Sequence, residues 1–215
     1  MLDRGMPYAE NLLFPLSFIG LIAAAMTAAL AAGRRSMDWM GVVMLGSITA
    51  LGGGSTRDVL LGNYPLSWVQ EPYLLGITSA AALATILLAP VIHHFHRAFL
   101  FLDAIGLVLF TMLGCSVALK GNHHFAIVIM AGMITGCVGG VLRDILCNDV
   151  PLLFRAELYA SVSILTGLIY VEGLQLGFSS DIVTLVAFVV GLSFRLLAIR
   201  FRWEMPKFVY DRDTK

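Results

Sequence analysis

Apolar residues dominate this chain in long runs that are separated by short polar segments. Seven runs are long enough to form helices that cross a bilayer, because a helix of about 20 apolar residues spans its hydrocarbon core. The approximate ranges of the runs are 12–32, 38–56, 72–92, 98–119, 124–142, 157–175 and 181–200. The connections are too short for a separate soluble domain. The pattern predicts an all-α membrane protein with seven transmembrane helices.

The composition favours the same class of protein. Of the 215 residues, 59% are hydrophobic and only 13% are charged, and the mean hydropathy is +0.87. A net charge of +0 leaves no basic surface for nucleic acid, so we expect no such partner. The three cysteines lack CxxC spacing and are predicted to be buried thiols. The N-terminal segment has mixed charges and a long apolar run, which favours a retained helix over a signal peptide.

The Lys and Arg residues orient the predicted helices. One side carries Arg34, Arg35, Arg97, Arg155 and the basic residues at the C-terminal end, namely Arg200, Arg202, Lys207, Arg212 and Lys215. Apart from the two Arg-Asp pairs at 57–58 and 143–144, the other side has only Arg4 and Lys120. By the positive-inside rule, this bias predicts an outside N-terminus and a cytoplasmic C-terminal tail.

The chain contains an internal repeat with an offset of 86 residues. The first copy of its central motif is GGGSTRDVLLGNYP from Gly52, and the second is VGGVLRDILCNDVP from Val138. The matches include Gly53, Gly54, Arg57, Asp58 and Pro65 with Gly139, Gly140, Arg143, Asp144 and Pro151. We predict repeats at 12–92 and 98–175, followed by an unrepeated helix at 181–200. Three helices per unit would insert the second copy upside down, which is typical of transport proteins.

The glycines of each motif predict a kinked helix, where freed carbonyl oxygens can face a cation. The predicted kinks fall at Gly52, Gly53, Gly54, Gly139 and Gly140. The hydroxyl groups of Ser55 and Thr56 lie beside the first kink. Thr135 precedes the second kink, as Thr49 precedes the first.

The charged residues require partners or water, because an ionised side chain within a membrane helix costs about 2.5–3.5 kcal/mol. Neighbouring helical residues point about 100° apart, which disfavours pairing within one motif. We therefore expect Arg57 to pair with Asp144, and Arg143 with Asp58. The alternative is that the glycines only pack and the charges only anchor the helices at the membrane surface.

The remaining polar residues carry weaker signals. His93, His94, His96, His123 and His124 are predicted to be interfacial, as is Glu172. Arg195 is expected to extend from the last helix to the membrane surface. Nothing in the sequence matches a catalytic nucleophile, a phosphate loop or a dinucleotide motif, so we expect no enzyme activity and no cofactor.

The duplicated Gly-Gly-x-x-Arg-Asp motif in a three-plus-three-plus-one arrangement resembles the prokaryotic trimeric intracellular cation (TRIC) channels, whose unit is also called the glycine-transporter domain. The resemblance covers about residues 12–200. It implies a homotrimer in the bacterial inner membrane, surrounded by lipids, with a pore for K⁺ and also Na⁺ in each protomer. The implied pore-lining residues are Ser55, Thr56, Arg57, Asp58, Thr135, Arg143 and Asp144 on the second and fifth helices.

The two motif copies are not identical, since Val141 and Leu142 stand where the first copy has Ser55 and Thr56. The hydroxyl ligands of Ser55 and Thr56 are therefore not duplicated in the second half, and a symmetric ion site is not expected. No lysine adjoins either glycine cluster, so the phosphoinositide regulation of the animal members is not implied. A secondary transporter for a zwitterion such as glycine remains an alternative to a channel, and a purely structural membrane protein is a third.

Overall fold

The computed structural model describes residues 10–89, 95–155 and 158–203. This part of the chain contains seven long helices and two short ones. In chain order they are α1 (Glu10–Arg34), α2 (Trp39–Leu61), α3 (Ser67–Gln70), α4 (Tyr73–Leu88), α5 (Phe95–Lys120), α6 (Phe125–Leu146), α7 (Leu152–Arg155), α8 (Tyr159–Gln175) and α9 (Ser180–Phe201). The all-helical expectation is confirmed for the described residues.

Four segments are long and apolar enough to cross a membrane by length and composition, namely Leu12–Arg34, His96–Lys120, Phe125–Leu146 and Ser180–Phe201. Helix α4 is apolar but shorter. Many large apolar side chains face outward, including Leu87, which is 75% exposed. Such an exterior suits lipid rather than water as its surroundings.

Helices α2 and α6 extend past the predicted ends at residues 56 and 142, so that both Arg-Asp pairs lie within helices. The capping residues explain the difference. Gly62 adopts a φ of 72° and donates its N–H to the carbonyl groups of Asp58 and Val59. Asn148 has a φ of 55° after α6. Each residue ends its helix in a left-handed conformation that Gly and Asn tolerate, and the prolines follow later.

Four helices form the centre of the bundle. Helix α1 packs against α5, and α2 packs against α6, while α1 with α2 and α5 with α6 complete the group. Helix α4 covers α1 and α2, just as α8 covers α5 and α6. Helix α9 packs against α8 and α5. The repeat motifs on α2 and α6 therefore meet in the middle of the molecule.

Candidate functional site: two cavities at a helix crossing

Helices α2 and α6 approach each other through their glycines. A methyl group on Gly53 would collide with the carbonyl oxygen of Thr135, and one on Gly139 would collide with that of Thr49. Both helices continue through these glycines. Residue numbers rise along one helix as they fall along the other at this contact. Only glycine permits the close approach, because it has no Cβ.

The first Arg-Asp pair is buried at the end of α2, where Arg57 and Asp58 are each 3% exposed. The Nε and Nη2 atoms of Arg57 donate to Oδ1 of Asp58 at 2.9 and 2.7 Å. The second carboxylate oxygen of Asp58 accepts a hydrogen bond from the Ser67 hydroxyl at 2.9 Å. The pair therefore connects α2 to the start of α3.

The second pair has more partners. The Nε atom of Arg143 donates to Asp144 at 2.8 Å, and its Nη1 atom donates to Asp103 on α5 at 2.8 Å. The same Nη1 donates to the hydroxyl of Thr27 on α1 at 3.2 Å. Asp144 accepts the backbone N–H of Leu152 at 2.8 Å, which connects α6 to α7. Arg143 thus joins three helices at a site where it is 1% exposed.

The expected pairing of Arg57 with Asp144, and of Arg143 with Asp58, is wrong. Each arginine instead folds back onto the aspartate next to it in sequence. The long Arg side chain overcomes the 100° separation of the two Cβ directions. In the opposed register of the crossing, Arg57 and Asp144 lie on the order of 20 Å apart along the helix axis.

The motif hydroxyl groups bond within their own helices. Ser55 donates to the carbonyl of Leu51 and Thr56 to that of Gly52, both at 2.8 Å. Thr135 donates to the carbonyl of Ala131 at 2.6 Å. Each oxygen retains lone pairs that can accept from another donor or contact a cation. One lone pair of Ser55 is already used, because the Trp68 indole donates to it at 3.2 Å.

Two cavities flank the crossing. The large cavity, of about 430 Å³, is lined by residues that include Phe18, Ser55, Arg57, Trp68, Glu71, Phe110, Lys120 and Thr135. The small cavity, of about 20 Å³, is lined by residues that include Ala24, Thr27, Thr49, Asp103, Phe110, Gly140, Arg143 and Tyr159. Phe110 is a lining residue of both cavities. Among the predicted pathway residues, Ser55, Arg57 and Thr135 border the large cavity and Arg143 borders the small one.

The predicted position of Arg195 at the membrane surface is wrong. Its side chain is 0% exposed, and its guanidinium carbon lies 4.7 Å from the centre of the Tyr159 ring. Packing of α9 against α8 places the charge inside the bundle, where an aromatic face attracts it. The sequence could not distinguish this site from lipid, since both surroundings are apolar.

Sequence reasoning also missed Asp103, although a carboxylate within a predicted transmembrane helix was a usable signal. Of the histidines, His96 and His124 are exposed in the described residues, and His124 accepts the Ala126 N–H at the start of α6. His93 and His94 lie outside the described residues. The three cysteines are buried and free, as predicted. Among the described residues, no group of His, Cys, Asp and Glu is arranged to hold a metal ion.

Comparison with known proteins shows what the chain is similar to. The profile described as "Glycine transporter" matches twice, at residues 15–90 and 100–175. A UPF0126 membrane protein of Vibrio cholerae is 36% identical over 205 residues, which are 94% of this chain and 85% of that protein. The UPF0126 inner membrane protein YadS of Escherichia coli K12 is 34% identical over 207 residues, or 95% of this chain and 100% of that protein.

A solved structure shares the fold. The crystal structure of the TRIC trimeric intracellular cation channel orthologue from Rhodobacter sphaeroides superimposes with a TM-score of 0.86 at 32% identity. The match covers 89% of this chain and 99% of that one. The fold and the site therefore define an all-helical membrane protein with a TRIC-like fold. Because the family profile covers most of both halves, the chain belongs to the glycine transporter family, and the resemblance to bacterial TRIC channels is confirmed.

Proposed function

We propose that the protein is a channel for monovalent cations, K⁺ and also Na⁺, with a pore in each protomer. The observation that carries the proposal is the pair of cavities on either side of the α2/α6 crossing, in a fold shared with a cation channel. The pore would run from the large cavity past Phe110 into the small one.

The proposed pathway is lined by polar groups of α2 and α6. Ser55, Thr56 and Thr135 supply oxygen atoms that replace part of the hydration shell of a cation. Arg57 and Arg143 set the electrostatic barrier, and Asp58 and Asp144 hold them in place. The glycine clusters Gly52 to Gly54 and Gly139 to Gly140 shape both helices, and the back-bonding of Ser55 and Thr56 favours a bend at the first cluster.

The proposed architecture has seven transmembrane helices. Two inverted repeats occupy 12–92 and 98–175, the seventh helix occupies 181–200, and the tail at 201–215 is cytoplasmic. The opposed register of Thr49, Gly53, Thr135 and Gly139 supports the inversion. The N-terminus lies outside the inner membrane. Three copies assemble into a homotrimer, as the name of the Rhodobacter sphaeroides relative suggests for its own chain.

Recording from the purified protein in planar bilayers tests the channel. We expect discrete K⁺ currents whose reversal potential follows the cation gradient, and altered unitary conductance in Ser55→Ala and Asp58→Asn. Leu87→Ala is a matched control because this exposed side chain lies on α4, away from both cavities. An absence of unitary currents in folded protein would contradict the proposal.

A carrier of a small zwitterion is the second candidate, with transport rather than catalysis in either case. The large cavity contains Arg57 and Glu71, which suit a carboxylate and an ammonium group. The Nη1 atom of Arg57 is buried and has no hydrogen-bond partner among the described residues, so it can bind a carboxylate. Saturable counterflow of labelled glycine without unitary currents would favour this candidate over the channel.

A further inference from the structure

The two cavities are built from corresponding positions of the repeat but differ greatly in size. Leu21, Ala50, Gly54 and Arg57 line the large cavity, and the residues 86 positions later line the small one, namely Leu107, Gly136, Gly140 and Arg143. The volumes are about 430 and 20 Å³. Residues that differ between corresponding positions of the two copies therefore account for the closure of the small cavity.

The difference lies in what the two arginines contact. Arg143 donates to Asp103 and Thr27, and its guanidinium carbon lies 4.6 Å from the centre of the Phe99 ring. These three residues have Ser17, Leu113 and Leu13 as their counterparts in the repeat. A serine and two leucines cannot form the same ion pair, hydrogen bond and cation–π contact. Arg57 accordingly stays with Asp58 at the wall of the large cavity.

Asp103, Thr27 and Arg143 come from α5, α1 and α6, and all of them line the small cavity. The guanidinium group therefore extends across this half of the pathway. The contact is not fully satisfied, since Asp103 Oδ2 and Arg143 Nη2 lack hydrogen-bond partners among the described residues. A buried ion pair is weak evidence for stability. Because the Arg143–Asp103 pair at the small cavity is incompletely hydrogen-bonded, it is suited to forming and breaking reversibly.

We propose that Asp103 is a gating residue, which holds Arg143 across the small cavity and keeps that half of the pathway closed. When Arg143 is released from Asp103 and Thr27, the small cavity widens until it resembles the large cavity. This inference rests on the proposed function for its role in transport. The closure of the small cavity does not depend on the proposed function, and it can be measured without recording ion flux.

The test exchanges the residues that distinguish the two halves. Asp103→Ser with Thr27→Leu gives Arg143 the neighbours that stand at the corresponding positions around Arg57, and should release it. Ala24→Cys, placed in a background without the three native cysteines, reports access to the small cavity. The probe is a membrane-impermeant methanethiosulfonate reagent, applied in detergent so that both sides are reached. Since a minor conformation is typically populated at about 0.1–10%, we expect labelling to accelerate by about tenfold or more.

Asp103→Glu, which retains the carboxylate, should keep labelling slow. The reverse exchange, Ser17→Asp with Leu113→Thr, should draw Arg57 across the large cavity and slow the labelling of Ala50→Cys by a similar factor. If size-exclusion chromatography shows that the first double variant aggregates, the reverse double variant is the test of the proposal. Unchanged labelling in folded protein would overturn the proposal. Faster labelling with no K⁺ flux in liposomes would leave the gate standing and contradict the channel.

Discussion

Gly53 of α2 lies directly against the backbone carbonyl of Thr135 on α6, with no room for a methyl group between them. Gly139 has the same relationship to Thr49, in the opposite direction. The crossing is thus made twice by corresponding residues of the two copies. The close approach of α2 and α6 brings both Arg-Asp motifs into one bundle, and a cavity lies on each side of the crossing.

Gly53→Ala and Gly139→Ala should each destabilise the bundle. The added methyl group meets backbone rather than a flexible side chain, so the helices must separate, at a cost of about 1–3 kcal/mol. Unfolding of the purified protein in mixed micelles, titrated with SDS, measures the loss. Gly54→Ala is the matched control, because its methyl group would find only ordinary contact with Arg57. An equal loss in Gly54→Ala would contradict the assignment of the crossing.

Asp58→Ala should be among the most destabilising changes in α2. It leaves the buried guanidinium of Arg57 without its partner, and breaking a buried ion pair from one side costs about 3–5 kcal/mol. Ser67→Ala removes only one hydrogen bond to the same carboxylate, so we expect a loss of about 1 kcal/mol. The same SDS titration compares them. A loss in Asp58→Ala no larger than that in Ser67→Ala would show that the pair is not needed for the fold.

The sequence was sufficient to find the repeat and the helices that carry it, because a duplication leaves matched residues such as Gly53 and Gly139 at a constant offset. The partners of the arginines were not predictable in this way. Arg143 binds Asp103, which lies 40 residues away on another helix and has serine as its counterpart in the repeat. The repeat therefore contains no matched carboxylate that would identify Asp103 as the partner.

Arg195 illustrates a second limit. Hydropathy distinguishes apolar surroundings from water, but it cannot distinguish lipid from a protein interior. The helical packing of α9 against α8 decides that Arg195 meets the Tyr159 ring, and this packing involves residues that the repeat does not contain. The surroundings of a charged residue on a helix outside the repeat can therefore be assigned only from the structure.

The variants Tyr159→Leu and Tyr159→Phe distinguish the contribution of the Tyr159 ring to stability from that of its hydroxyl group. Phenylalanine keeps a ring beneath the guanidinium, whereas leucine loses a contact of about 0.5–2 kcal/mol. We therefore expect a larger loss of unfolding free energy in Tyr159→Leu. Tyr73→Leu is the control, because Tyr73 is the counterpart in the repeat and is 49% exposed. Equal losses in the two Tyr159 variants would exclude a contribution of the ring to holding Arg195.

The hydroxyl of Ser55 gives the proposed channel its sharpest test, since two substitutions should change conductance in opposite directions. The oxygen of Ser55 accepts the Trp68 indole N–H. Trp68→Phe releases that lone pair for a cation and should raise the unitary K⁺ conductance, while Ser55→Ala removes the oxygen and should lower it. A neutral ligand contributes about 0.5–1.5 kcal/mol, which corresponds to changes of roughly two- to tenfold.

The double variant Trp68→Phe/Ser55→Ala should behave like Ser55→Ala, because the indole acts only through the oxygen that is then absent. Trp39→Phe is the control for loss of an indole, since Trp39 is 68% exposed at the start of α2 and does not line the large cavity. Single-channel recordings in symmetrical KCl compare the four variants with the unsubstituted protein. An increase in Trp68→Phe that persists without Ser55 would assign the effect to the volume of the indole and remove Ser55 from the ion pathway.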